Sequence, residues 1–127
     1  MKFATVSPAA GRIAVKERQR RDRAAAPVLR TRYPQLASLQ VDFDFSDSSE
    51  YLPSPQVTVF HPPARAYFCF ACAYSDCDGQ FDLAGAIDSA VNGREARSEG
   101  QIRCAGTRHG GTPCTLCLEY SIAANRL

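Results

Sequence analysis

The chain has 127 residues, 45% of them hydrophobic and 9% aromatic, which allows one domain with a modest core and a tail. No apolar run approaches the roughly 20 residues that span a bilayer, and the first residues lack the apolar stretch of a secretory signal, so we expect a cytoplasmic protein. The net charge of +2 is unevenly distributed: residues 1–33 carry nine basic and two acidic side chains, a net of +7, whereas residues 34–127 carry six and eleven, a net of −5.

The first 33 residues are predicted to be a basic, flexible N-terminal arm. Ser7-Pro8 can start a helix over residues 9–23 and Ala26-Pro27 can end it. Large apolar side chains are few here, and an isolated helix of this length is marginal in water, so we expect a disordered or only partly helical segment. Its arginines can neutralise phosphates, and the candidates for nucleic-acid binding are Arg18, Arg20, Arg21 and Arg23.

The remainder of the chain, residues 34–127, is predicted to be an α+β domain. It begins at Leu36 with a half-buried strand whose apolar residues alternate with polar ones, the apolar set being Leu39, Val41, Phe43 and Phe45. Residues 56–60 form a second predicted strand. The aromatic run 65–72 forms a third, which we expect to be central.

A helix is predicted after these strands. Asp82 takes the N-cap position and Asn92-Gly93 supplies the stop. The apolar face of this helix consists of Leu83, Ile87, Ala90 and Val91. Residues 101–104 and 114–123 are the predicted fourth and fifth strands. Because strands and helices do not alternate, this order predicts an antiparallel sheet of about five strands with one helix.

The spacing of the cysteines, C-x2-C-x4-C-x26-C-x9-C-x2-C, is the strongest signal in the chain. All six lie in the C-terminal half: Cys69, Cys72, Cys77, Cys104, Cys114 and Cys117. Two clusters separated by an insert of helix length are typical of a structural metal site, so the predicted cofactor is Zn²⁺. Three disulfides are the alternative, but they are typical of secreted scaffolds with a signal segment and a denser cysteine pattern.

Two sets of four cysteines compete as the metal ligands. The default set joins the two C-x2-C units, at positions 69–72 and 114–117. The residues inside these units, 70–71 and 115–116, are strand-like and include neither the Gly nor the Pro that a tight metal-binding turn favours. This argues against the default set.

The favoured ligands are Cys72, Cys77, Cys104 and Cys114. A glycine lies two residues after the second and the third of these, and we expect both glycines to adopt the positive φ that turns backbone amides toward a thiolate. Cys69 and Cys117 then remain as small buried thiols inside strands, and as alternate ligands.

Other ligand sets stay open. A binuclear site with all six thiolates is possible, although the long central gap disfavours it. His61 and His109 are candidate ligands, but a surface histidine is the expected state of each.

Three stretches of the C-terminal half form a longer pattern: Cys72-x4-Cys77-Asp78-Gly79-Gln80-Phe81-Asp82-Leu83, then Cys104-x-Gly106, then Cys114 leading into Leu118-x-Tyr120-x-Ile122. Over about residues 34–124, the chain resembles uncharacterised small bacterial proteins of a zinc-ribbon type. The resemblance implies a structural zinc held by the favoured four cysteines and carries no established activity. Cys69 and Cys117 are additional to the pattern.

A site made only of thiolates is coordinatively closed, so the sequence favours a non-catalytic protein. A thiol redox role is less favoured, because the C-x2-C at 69–72 lies in a strand-like run and not at a helix N-terminus that would lower a thiol pKa. Neither a membrane nor a small-molecule substrate is indicated.

Two binding functions follow from the charge distribution. The first is a protein-interaction module, whose acidic strand and loop would meet a basic protein through Asp42, Asp44, Asp47 and Glu50. The alternative is a nucleic-acid-binding or transcription-associated zinc ribbon that uses the basic arm.

Overall fold

Residues 8–47 and 55–127 are described in the computed structural model of the chain. In chain order the elements are helices α1 (Pro8–Ala25) and α2 (Leu29–Arg32), strands β1 (Leu36–Ser46), β2 (Gln56–Phe60), β3 (Cys69–Ala71) and β4 (Gln80–Asp82), helix α3 (Ala84–Asn92), strand β5 (Arg97–Arg103), a 3-10 turn (His109–Gly111) and strand β6 (Cys117–Arg126). None of the helices in these described ranges combines the length and the apolar character that crossing a membrane requires.

The main sheet has four antiparallel strands in the order β2-β1-β6-β5. β1 lies inside it and pairs with β2 on one side and β6 on the other, so that Val41 stands opposite both Thr58 and Ile122. The predicted alternation of β1 is confirmed, since Leu39, Val41 and Phe43 are buried. Alternate side chains of a strand point to opposite faces, so the buried residues of β1 lie on the inner face of the sheet and Asp42 and Asp44 lie on its outer face. The exposed Val57 and Val59 of β2 share that outer face.

The α+β class is confirmed, but the single five-stranded sheet is wrong. Within the described residues, β3 and β4 form a separate two-stranded sheet in which Phe70 stands opposite Phe81. The aromatic run 65–72 is therefore not a central strand, and only Cys69–Ala71 is extended in a ladder. The start of this run packs instead against the linker between α1 and α2, where the Ala66 N–H donates to the Pro27 carbonyl at 2.8 Å.

Helix α3 and the last two strands are present as predicted, but their bounds differ from the predicted ones. The predicted apolar face of the helix is buried: Leu83, Ile87, Ala90 and Val91. The Asp82 carboxylate accepts the Ala84 N–H at 2.9 Å, which satisfies one of the free donors of the first turn. β5 starts four residues earlier than predicted, and β6 starts three residues later.

The expectation of one helix is also corrected, because the basic segment forms α1 and α2. α1 begins with Pro8, a residue suited to a first helical position, and ends just before Ala26-Pro27 as predicted. Val15 and Gln19 lie four residues apart on one face of α1, and both are buried. The division into a flexible arm (1–33) and a domain (34–127) remains a prediction.

Candidate metal centre

Four cysteines from two separate loops converge in one cluster. Cys72 follows β3 and Cys77 precedes β4, whereas Cys104 follows β5 and Cys114 precedes β6. All four are buried, with between 0% and 5% of each residue exposed. Their four Sγ atoms all lie within 4.8 Å of one another. The structure thus brings together the set that the sequence favoured, and this cluster can hold a metal ion.

The sulfur separations suit a tetrahedral cation. Cys72 Sγ lies 3.9 Å from Cys114 Sγ, and Cys77 Sγ lies 3.7 Å from Cys104 Sγ. Two thiolates bound to one ion at about 2.3 Å, in a tetrahedron, lie about 3.8 Å apart. A disulfide would need about 2.05 Å between the sulfurs. All six cysteines are free thiols, so the disulfide alternative is not what the structure shows.

Each loop has a backbone N–H that donates to a thiol sulfur. The Gly79 N–H donates to Cys77 Sγ at 3.3 Å, and the Gly106 N–H donates to Cys104 Sγ at 3.4 Å. Such N–H···S bonds stabilise the charge of a thiolate ligand. The two turns 77–79 and 104–106 are therefore equivalent knuckles, each formed by Cys-x-Gly.

The glycines of the two knuckles are needed for close approach and not for a left-handed conformation. Positive φ was predicted for both, but among the described glycines it occurs at Gly110 and Gly111 instead. A Cβ on Gly79 would collide with Cys104 Sγ and would lie 3.1 Å from the Gly106 Cα. A Cβ on Gly106 would collide with the Gly79 amide and lie 2.8 Å from Cys77 Sγ. Each glycine thus makes room for the cysteine of the opposite knuckle.

The knuckles are also joined by hydrogen bonds. The Thr107 N–H donates to Asp78 Oδ1 at 2.7 Å, and the Asp78 N–H donates to the Thr107 carbonyl at 3.3 Å. Arg108 pairs with Asp76 at 3.1 Å and stacks over the Tyr74 ring at 3.8 Å. These contacts fix the two loops relative to each other, beside the residues that directly precede the 3-10 turn.

Helix α1 packs against the loop between β3 and β4. Arg12 Nη1 donates to the carbonyl oxygens of Cys72, Tyr74 and Cys77 at 2.8, 2.7 and 3.2 Å. Gln19 Nε2 donates to Gln80 Oε1 at 3.0 Å. These contacts are not predictable from apolar periodicity, because the inward face of α1 buries one valine, Val15, among polar side chains and carries no apolar stripe. The i, i+7 spacing of Arg12 and Gln19 was the only signal available.

Cys72, Cys77 and Cys104 differ in proton affinity. Burial raises the pKa of the Cys77 thiol to about 12. A hydrogen bond to Cys104, together with burial, raises the pKa of Cys72, and the same bond lowers the pKa of Cys104 to about 5. A cation that binds all four sulfurs must displace the remaining protons.

The other candidate ligands lie outside the cluster. Cys69 lies in β3 and Cys117 in β6, as predicted, but both are half-buried and not fully buried. His61 and His109 are exposed. The cluster found among the described His, Cys, Asp and Glu residues contains none of these four, so it offers four ligands and no second metal position beside them.

Cys69 does not have the environment of a redox cysteine. Burial raises the pKa of its thiol, whereas reactive cysteines have a lowered one. Gln19 Nε2 donates to its sulfur at 3.9 Å. These contacts belong to the packing of α1 on β3.

The charged residues predicted for binding lie on two parts of the molecule. Arg18, Arg20, Arg21 and Arg23 are exposed on α1. Asp42 and Asp44 lie on the outer face of β1, but Asp47 accepts hydrogen bonds from the Tyr74 and Thr115 hydroxyls at 2.7 and 2.8 Å. The predicted contribution of Glu50 lies outside the described residues.

Comparisons of the chain with family models, with curated proteins and with solved structures found no match.

Proposed function

We propose that the chain is a structural-zinc protein of zinc-ribbon type that acts as a non-catalytic protein-interaction module. The observation that carries the zinc centre is the convergence of four buried thiols, two from the loop between β3 and β4 and two from the loop between β5 and β6, at separations suited to a tetrahedral ion. Four protein thiolates complete the coordination of zinc and leave no position for a substrate or water. The metal therefore stabilises the fold.

Zinc is the best match to this donor set. Four thiolates in a tetrahedron suit zinc or iron, and closed four-thiolate sites are the commonest structural use of zinc. With four ligands in place, the ion joins loops that are 27 residues apart at Cys77 and Cys104. It thereby fixes the relative positions of β4 and β5, which belong to different sheets and are not paired with each other.

Titration of the metal-free, reduced chain with Co²⁺ tests this assignment. We expect saturation at one Co²⁺ per chain, with the intense visible absorption of tetrahedral thiolate coordination, and stoichiometric displacement by Zn²⁺. The full chain with Cys69→Ser and Cys117→Ser is the matched control, because it keeps the four clustered thiols and should give the same spectrum. A spectrum of octahedral Co²⁺, or loss of the signal in the control, would contradict the four-thiolate site.

The partner class is proposed from the outer face of the main sheet. A depression of about 310 Å³ there is lined by four carboxylates, those of Asp42, Asp44, Glu99 and Glu119. Asp44 stands directly opposite Glu119 in the ladder between β1 and β6. Like charges at such positions destabilise a sheet, and a basic protein segment would relieve that repulsion. This supports a basic protein as the partner.

An oligolysine peptide with a fluorescent label is the probe for this surface. We expect salt-sensitive binding, which Asp44→Asn with Glu119→Gln weakens about three- to tenfold, the size expected for two exposed ion pairs. Asp22→Asn with Glu95→Gln removes the same charge from α1 and from the loop before β5, and should leave the affinity unchanged. Equal loss in both double variants would show that only net charge matters and would contradict a defined acidic surface.

A further inference from the structure

A groove runs between α1 and the inner face of the hairpin formed by β1 and β2. It has a volume of about 420 Å³, and its basic lining residues are Arg12, Lys16 and Arg23. A second concavity, of about 650 Å³, shares these three residues and adds Arg20. Among the described residues that line the two concavities, Glu17 is the one acid. The surface is therefore strongly basic.

The basic residues follow one line along the helix. Positions 12, 16, 20 and 23 are separated by four, four and three residues, and this spacing places side chains one above another on a single helical face. At 1.5 Å per residue, the line is about 16 Å long. Lys16 is exposed, and the side chain of Arg20 is 76% exposed. A row of cations of this length can contact several phosphates of a polyanion in succession. One small anion would need fewer basic side chains.

Aromatic rings form the opposite side of the groove. Phe43, Phe45 and Phe70 line it, and the last two are only half-buried. The Phe43 and Phe70 rings meet edge to face with centroids 4.6 Å apart, so the floor is already packed and rigid. A planar base can add to these rings at little entropic cost.

Strand alternation separates this groove from the acidic surface. Phe43 and Phe45 occupy the inner face of β1, whereas Asp42 and Asp44 occupy the outer face. The negative charge of residues 34–127 therefore lies, at β1, on the side away from the groove. The net negative charge of residues 34–127 therefore does not prevent the groove from binding a polyanion.

We propose that the groove between α1 and the β1–β2 hairpin binds single-stranded nucleic acid. Lys16, Arg20 and Arg23 of α1 take the phosphates, whereas Arg12 remains bound to the backbone carbonyls of the loop between β3 and β4. The half-buried rings of Phe45 and Phe70 take the bases. A positive groove that follows the backbone, combined with aromatic platforms, is the usual design of sites that bind single strands without strong sequence preference. This goes beyond the proposed function, since it gives the chain a second binding surface on the opposite side of the main sheet.

Fluorescence anisotropy of the zinc-loaded full chain with a labelled oligo(dT) of about 12 nucleotides tests the proposal, since single-strand sites cover about 4–16 nucleotides. Lys16→Glu with Arg20→Glu should reduce affinity at least tenfold and lower the salt slope by about 1.4, because each phosphate contact on a single strand contributes about 0.7. Arg94→Glu with Arg97→Glu makes the same charge change away from the groove and should bind like the unmodified chain. Phe70→Leu should weaken binding about tenfold through lost stacking.

Each alternative outcome overturns the proposal. Equal weakening by the two double variants would mean attraction by net charge alone. Equal affinity for duplex DNA, or for a mononucleotide, would mean that no single strand is recognised, and unchanged binding by Phe70→Leu would remove the stacking role. Zinc content and far-UV circular dichroism of every variant keep a folding defect, or a failure of the zinc centre, distinguishable from a loss of binding.

Discussion

Replacement of any one of Cys72, Cys77, Cys104 and Cys114 with serine is expected to abolish stoichiometric zinc binding and cooperative unfolding of the chain. The reason is the size of the metal contribution: structural zinc contributes about 10–16 kcal/mol of apparent binding free energy, whereas the net stability of a small domain is about 5–15 kcal/mol. The measurements are zinc per chain and the urea unfolding curve of each variant.

Cys69→Ser and Cys117→Ser are the matched controls for this series. Both residues are half-buried thiols in strands, outside the cluster, so each substitution should cost at most about 2 kcal/mol and leave one zinc bound. A variant of the clustered four that keeps full zinc and wild-type stability would contradict the ligand assignment. Loss of zinc in both controls would instead restore the binuclear alternative.

Gly79→Ala and Gly106→Ala are each expected to destabilise the protein by about 3 kcal/mol or more and to weaken zinc binding, although no ligand is changed. The added methyl group at either position meets backbone of the other knuckle and a cluster sulfur. Overpacking commonly costs about 1–3 kcal/mol, and the cost is at its upper end where neighbouring atoms are fixed by the metal. Unfolding curves and a competitive zinc titration measure the two effects.

Gly85→Ala is the control for the two knuckle variants, because it makes the same glycine-to-alanine change outside the metal-binding loops. Gly85 lies inside α3, and an added Cβ there meets nothing within 4 Å. Alanine should therefore stabilise α3 by about 0.5–1 kcal/mol, because glycine loses more backbone entropy in a helix. If the knuckle variants were as stable as Gly85→Ala, the close approach of the two loops would be wrong.

Parts of this fold follow from local pattern alone. Alternation along residues 39–45 predicts β1, and the i, i+4, i+7, i+8 face of residues 83–91 predicts α3, since both segments bury one side against the same core. The Cys-x-Gly steps at 77–79 and 104–106 also favour the four cysteines that the structure brings together. For β1 and α3, a short stretch of sequence contains the whole physical reason; for the cysteines it identifies the residues but not the reason that glycine is needed beside them.

The rest depends on contacts between distant segments. β4 was missed because residues 80–82 become a strand only through pairing with β3. The packing of α1 was missed because it depends on carbonyl groups of the loop between β3 and β4, which Arg12 reaches across 60 to 65 residues of sequence. Positive φ was wrongly predicted at Gly79 and Gly106, because crowding from the opposite knuckle is invisible to a local argument.

The metal content of the chain, purified without chelator, tests the central claim most directly when it is measured together with a count of thiols under denaturing conditions. We expect one zinc per chain and six free thiols, of which four are protected from alkylation until the metal is removed. Six thiols with no bound zinc, or with bound iron instead, would contradict the zinc centre that we propose.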